Sequence, residues 1–142
     1  MHFQNRSRYL RVLGSVTAGV VLAFSGGYAA GQRRPPTATV GQSEVMLRTL
    51  DLTHELTSTR GRALRMRTIT VQPGGVLAEH NHIDRPAITY MLQGQMTYYQ
   101  EGKPAVIANP GDGFAEGRTT THWGENTGTV PAVWVAVDIP LP

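Results

Sequence analysis

From about residue 44 to its end, the chain places apolar and β-branched residues in short runs broken by glycine, proline, asparagine and aspartate. Val45–Leu52 is the first run, and Ala63–Val71 (ALRMRTITV) is the second, β-branched toward its end. Pro73-Gly74-Gly75 then turns the chain into a strand that carries His80 and His82. Ala87–Leu92 and Met96–Gln100 flank Gly94, a tight connection suited to a hairpin. Glu101–Pro104 turns the chain into Ala105–Ala108, and Asn109–Gly113 marks another turn. Thr120–Gly124 and Ala132–Ile139 complete the series, and no helical pattern follows residue 43. About eight or nine strands, with turn signals every ~8–12 residues, predict an all-β sandwich or jelly-roll barrel. In such a barrel, inward-facing side chains alternate with outward ones around a ligand cavity.

The first thirty residues follow a different pattern. Arg6, Arg8 and Arg11 open the chain, residues 12–31 carry no charge, and the apolar run Val16–Phe24 leads into Gly26-Gly27-Tyr28-Ala29-Ala30. A positive start, a short apolar run and a small-residue exit are the order of a secretory signal peptide. Residues 1–30 are therefore expected to be removed on export to the periplasm or the exterior, with cleavage after Ala29 or Ala30. A membrane-spanning helix wants about 20 predominantly apolar residues, and this run is diluted by glycine, serine and threonine. Membrane attachment is expected only if the segment stays uncleaved. Residues 31–43, polar and proline-bearing, read as a flexible linker, which leaves 44–142 as one domain.

Charge narrows the choice of partners. The whole chain has 13 basic and 10 acidic residues, but three of the arginines fall in the first eleven positions. The exported chain is formally neutral, so nucleic-acid binding has no electrostatic support. Cysteine is absent, which excludes disulfides and thiolate ligands. Arg65 and Arg67 share a strand face, expected to be solvent-exposed or at an inter-subunit edge. Met66 and Met91 are expected to fill the core.

The chemistry gathers at His80-Asn81-His82. On a strand, residues two apart share a face, so both imidazoles can grip one ion, and His122 offers a third from a later glycine-framed strand. Neutral imidazoles suit zinc, copper, iron and nickel, and three of them leave coordination positions open for water, substrate or dioxygen. Asp84 has the parity of His80 and His82, which makes it the candidate for an extra ligand, although the Arg85-Pro86 that follows suggests a turn. Glu79 has the opposite parity. His2 and His54 sit in no such pattern.

These segments resemble the paired motifs of the cupin family. Gly74, His80, His82 and Gly94 stand at the spacings of its first motif, and Gly111, His122 and Asn126 at those of its second. Gly117 and Thr119 replace that motif's proline and glycine, and Ala87 replaces the glutamate that usually completes the metal site. The resemblance implies a double-stranded β-helix with His80, His82 and His122 as ligands of Fe, Mn, Ni, Cu or Zn. Without the glutamate, the ion would keep its full charge and favour anionic, enolate-like substrates. Ala87, Thr89 and Met91 would line the cavity; Arg85, Tyr90, Trp123 and Glu116 are candidate pocket or rim residues, and Asn126 fixes its turn. The implied activity is a metal-dependent dioxygenase, of quercetinase or diketone-cleaving character, acting on a small organic molecule. The alternative is a non-catalytic cupin that binds a metal or small ligand. Cupins commonly pair through outer strands, which implies a homodimer.

Overall fold

The computed structural model describes residues 34–140; the expected signal segment 1–30 lies outside them. The described residues form eight strands and no helix: β1 (Val40–Asp51), β2 (Ala63–Asn81), β3 (Ala87–Gln93), β4 (Met96–Tyr99), β5 (Val106–Ala108), β6 (Gly113–Glu116), β7 (Thr121–Glu125) and β8 (Ala132–Asp138). β1 starts inside the stretch expected to be linker. That stretch is tied down further, because Ala78 N donates to Thr39 Oγ1 and Glu79 N donates to Pro36 O.

The order across the sheet is β5-β4-β7-β2-β8-β3-β6, all antiparallel, with β1 paired to β2. Two strand assignments depart from the sequence pattern. The expected second and third strands are one long β2, running on through Pro73-Gly74-Gly75. Its first half pairs with β1 and β8, and its second half with β7. Gly74 makes this possible by taking a positive φ of 75°, which costs glycine no steric penalty. The second departure is β6, four residues whose mix of glycine, aromatic, alanine and glutamate shows no strand signature.

The sheet curls so that side chains from seven of the eight strands surround one cavity. This is the double-stranded β-helix, or jelly roll. The core beside the cavity contains Ile69, Val71, Leu77, Met91, Met96, Trp134 and the alanines 108, 132 and 136. The alternation along β8 is complete: Ala132, Trp134, Ala136 and Asp138 point inward, with half-buried Val133, Val135 and Val137 between them. On β2 the same parity turns Arg65 and Arg67 inward with Ile69 and Val71, and leaves Met66 exposed. The arginines were expected at the surface, but Asp138 draws them in. Arg65 meets it through two bonds of 2.9 and 2.7 Å, and Arg67 adds a third at 3.1 Å.

Asn126 closes the far end of β7. Its side-chain amide donates to Val71 O and Val130 O, and its Oδ1 accepts from Gly128 N. A buried amide satisfied in this way fixes the loop between β7 and β8.

Candidate metal centre

Two strands and a bulge build the site. His80 on β2 lies directly opposite His122 on β7. Leu77 pairs with Gly124, so β2 spends one more residue than β7 between these two pairings. The extra residue is a β-bulge, which re-aims the side chains that follow it. Because of it Leu77 and His80, an odd number of residues apart, both face the cavity. His82 follows just past the strand end, held by a backbone bond from its N–H to Thr120 O of 3.0 Å.

The three rings point their Nε2 atoms at one another. His122 Nε2 is 3.1 Å from His80 Nε2 and 3.2 Å from His82 Nε2. The other ring nitrogens are held from behind: His80 Nδ1 contacts Ala78 O at 2.9 Å and His82 Nδ1 contacts Arg85 O at 3.2 Å. A carbonyl only accepts, so each Nδ1 carries the proton and donates it, which leaves the Nε2 lone pair free toward the centre. Tyr98 stacks on the His122 ring at 5.3 Å.

Lone pairs at that separation repel unless a cation or proton lies among them. Protons are disfavoured there, because burial, together with the charge of neighbouring His80, pushes His122 down to about 3 and His82 to about 4. Burial also lowers His80. A transition ion with metal–nitrogen distances of ~2.0–2.1 Å places adjacent nitrogens about 3.0–3.4 Å apart, and the observed spacings fall in that interval. The donor set fits a divalent transition ion.

An acid does stand beside two of the histidines, on a different strand. Glu116 of β6 is the cross-strand partner of Ala87 on β3. Its carboxylate lies 3.4 Å from His82 Nε2 and 3.7 Å from His122 Nε2. Burial raises its pKa to about 7, partly opposed by the positive charge of Arg85. Asp84, the expected extra ligand, is elsewhere. The strand ends at Asn81, and Asp84 sits in a turn with a φ of 55°, paired with Arg118 on the surface. Its parity with the histidines fails because alternation ends where the strand does.

Other expected residues divide in the same way. Arg85, Ala87 and Thr89 line the cavity. Met91 continues their face but lies deeper, in the apolar core. Trp123 faces away from His122 and stacks on Tyr99 at 4.0 Å, and Tyr90 is exposed on the outer face of β3. The aromatic residues that do line the cavity are Tyr98 and Trp134. Glu116 could have been ranked higher from sequence only by recognising β6 as a strand and pairing it with β3.

Comparison with known families agrees with this architecture. The family model described as a cupin domain matches residues 67–138, half of the chain. The chain belongs to the cupin family. No curated protein matches this cupin. Among solved structures, it is similar to KdgF from Halomonas sp., with a TM-score of 0.58 and 17% identity over 80% of this chain and 93% of that one. It is also similar to the polyketide cyclase RemF from Streptomyces resistomycificus, with a TM-score of 0.57 and 17% identity over 75% of this chain and 69% of the other. An oxalate oxidase in complex with glycolate gives a TM-score of 0.52 and 22% identity over 72% of this chain and 53% of the other. At these identities the likeness concerns the fold.

Proposed function

We propose that this cupin is a metal-dependent enzyme acting on a small organic molecule, with His80, His82, His122 and Glu116 holding a divalent ion of Fe, Mn, Ni, Cu or Zn. The observation that carries the reading is the convergence of three Nε2 atoms, two of them with their Nδ1–H groups tied to backbone carbonyls. Such an ion supplies Lewis-acid polarisation of substrate oxygens, and a redox-active one also supplies the dioxygen chemistry of an oxygenase. The protein's own part is positioning and proton handling. The backbone carbonyls of Ala78 and Arg85 set the ring orientations, and the Glu116 carboxyl, near 7, can hold or release a proton close to neutral pH. Among the described residues the cavity wall carries no serine, cysteine or lysine, which favours chemistry centred on the ion over a covalent route. A dioxygenase acting on an enolisable substrate fits these parts.

Metal content of the purified chain from Gly31 onward, measured by mass spectrometry beside His82→Ala, tests the reading. Near-stoichiometric transition metal in the parent and its loss in the variant support it; no metal after reconstitution overturns it. Oxygen uptake then separates an oxygenase from a module that only binds metal or ligand.

Two further proposals concern the protein's surroundings. Export is supported by the order of charge and hydrophobicity in residues 1–30, and the mass of the mature N-terminus tests it. Pairing of two copies is supported by β1, which among the described residues hydrogen-bonds to β2 alone and exposes Val45, Met46, Leu47 and Leu50. An open apolar edge of that kind favours strand-to-strand association, and sedimentation analysis of the parent and Leu50→Glu tests it.

A further inference from the structure

Besides the histidines, four formally charged side chains line the cavity: Arg67, Arg85, Glu116 and Asp138. Three of them have partners. Asp138 is bonded by Arg65 and Arg67, and Arg67 also reaches Glu44. Glu116 lies against His82 and His122. Arg85, a half-buried residue, is the exception, because its guanidinium has no hydrogen bond or ion pair among the described residues.

The position of Arg85 is nevertheless built. Its backbone N–H donates to His82 O at 3.2 Å, and its carbonyl accepts from His82 Nδ1. Pro86 follows and biases the Arg85 backbone toward an extended conformation. The residue is thus fastened at both backbone groups to one of the three converging histidines. Desolvation dominates the shift of Glu116 and of each histidine; the charge of Arg85 comes next at Glu116, and at the three histidines it is a smaller contribution behind nearer groups. A second donor on the wall lacks an acceptor as well: Arg67 Nε is buried with no hydrogen-bond partner.

Resting on the metal reading above, we propose that Arg85 selects an anionic substrate by pairing with its carboxylate while another substrate oxygen lies toward the histidines. A guanidinium presents a fork of donors that matches a carboxylate. With Asp138 bonded by two arginines and Glu116 against two histidines, the unpaired charge on the cavity wall is the positive one of Arg85. The cavity volume of about 240 Å³ limits the size of the guest. That is below the ~300 Å³ at which pockets for drug-sized ligands begin. The substrate class is a small organic acid carrying a second oxygen, such as a 2-hydroxy or 2-oxo carboxylate.

The test compares lactate with lactamide, which share size and hydroxyl but differ in charge, by calorimetric titration of the metal-loaded protein. Metal content is measured on every sample. The parent is expected to bind lactate at least ~10-fold more tightly than lactamide, as one charge-assisted contact provides. Arg85→Ala is expected to lose that preference with metal content unchanged, because His82 bonds to the Arg85 backbone, which the variant keeps. Arg85→Lys should retain part of it. Arg118→Ala, removing an exposed surface partner of Asp84, should retain all of it. Equal affinity for the two ligands, no binding of either, or an undiminished preference in Arg85→Ala at full metal content overturns the proposal. A parent that takes up no metal overturns the metal reading instead, and a lactate preference that persists without metal and depends on Arg85 leaves the anion site standing alone.

Discussion

Ala87 on β3 and Glu116 on β6 are cross-strand partners, and the carboxylate of the second lies beside the histidines that the first cannot serve. A carboxylate therefore stands one strand to the side of Ala87, at the same level of the barrel. Directly opposed residues in an antiparallel pair have Cβ atoms only ~4.5–5.5 Å apart, so one carboxylate in place of the other keeps the site within reach. This changes the expected electrostatics: an ion held by the histidines would have the Glu116 carboxyl beside it and would not keep its full charge exposed to substrate.

Moving the acid back should therefore rescue its loss. Glu116→Ala is expected to weaken metal binding by on the order of 10–100-fold, the scale typical of groups that support a metal centre. Ala87→Glu combined with Glu116→Ala should recover most of the affinity, whereas Asp84→Asn should leave it unchanged. Competition titration with a metal chelator reads all three; no recovery in the double variant would show that the two positions are not equivalent.

The pH dependence of the metal-free protein has a definite sign. His122 and His82 titrate near 3 and 4 when folded, and His80 is lowered too, against an ordinary value of about 6.5. The unfolded chain thus binds more protons below pH 6.5, and stability falls on acidification from 6.5 toward 3. Glu116 acts in the opposite direction: folded near 7 and ordinarily 4.5, it reduces stability as pH rises from 4.5 to 7. Three histidines outweigh one carboxyl, so the net loss on acidification is steepest below about 4.5, where Glu116 no longer opposes it. Glu116→Gln should stabilise the metal-free protein above pH 7 by about 1–3 kcal/mol and match the parent below 4.5. Chemical denaturation at several pH values in the presence of chelator checks both arms.

Asp138 should be a stability residue. It is 2% exposed, and the Arg65 hydrogen bonds and nearby arginine charges hold its pKa below the ordinary carboxylate value against the opposing effect of burial. Asp138→Ala leaves Arg65 without an acid and Arg67 with Glu44 alone, and removing one partner of a buried pair costs about 3–5 kcal/mol. Since Arg65 is 21% exposed, the lower end is expected. Urea unfolding measures it, and a loss under 1 kcal/mol would mean water replaces the acid.

Gly94 should tolerate no side chain. It has a φ of 68°, and an added Cβ would lie 2.4 Å from Pro131 O and 2.9 Å from the Ala132 Cα. Gly94→Ala is expected to cost more than about 1 kcal/mol. By contrast, Gly102→Ala has the same backbone conformation but no atom within 4 Å of the new Cβ, and should cost less. Thermal unfolding of the pair separates steric clash from backbone strain.

Local signals carried the strand pattern, the glycine-framed histidines and the turn role of Asn126, because each depends on residues a few positions apart. The sequence by itself therefore determined an all-β barrel and the three side chains able to face one ion. Tertiary pairing decided the remaining features of the site. A bulge in β2 set which way His80 points, and the strand's end at Asn81 released Asp84 to the surface. Asp138, more than seventy residues away in sequence, turned Arg65 and Arg67 inward. Alternation put Trp123 behind His122 and brought in Trp134 from another strand. Glu116 shows the division most clearly: nothing in Gly113–Glu116 announces a strand, and only its register against β3 places the carboxylate at the histidines. Which strand lies beside which is a long-range choice, made by burying one face of the whole sheet, and no short stretch of sequence contains it.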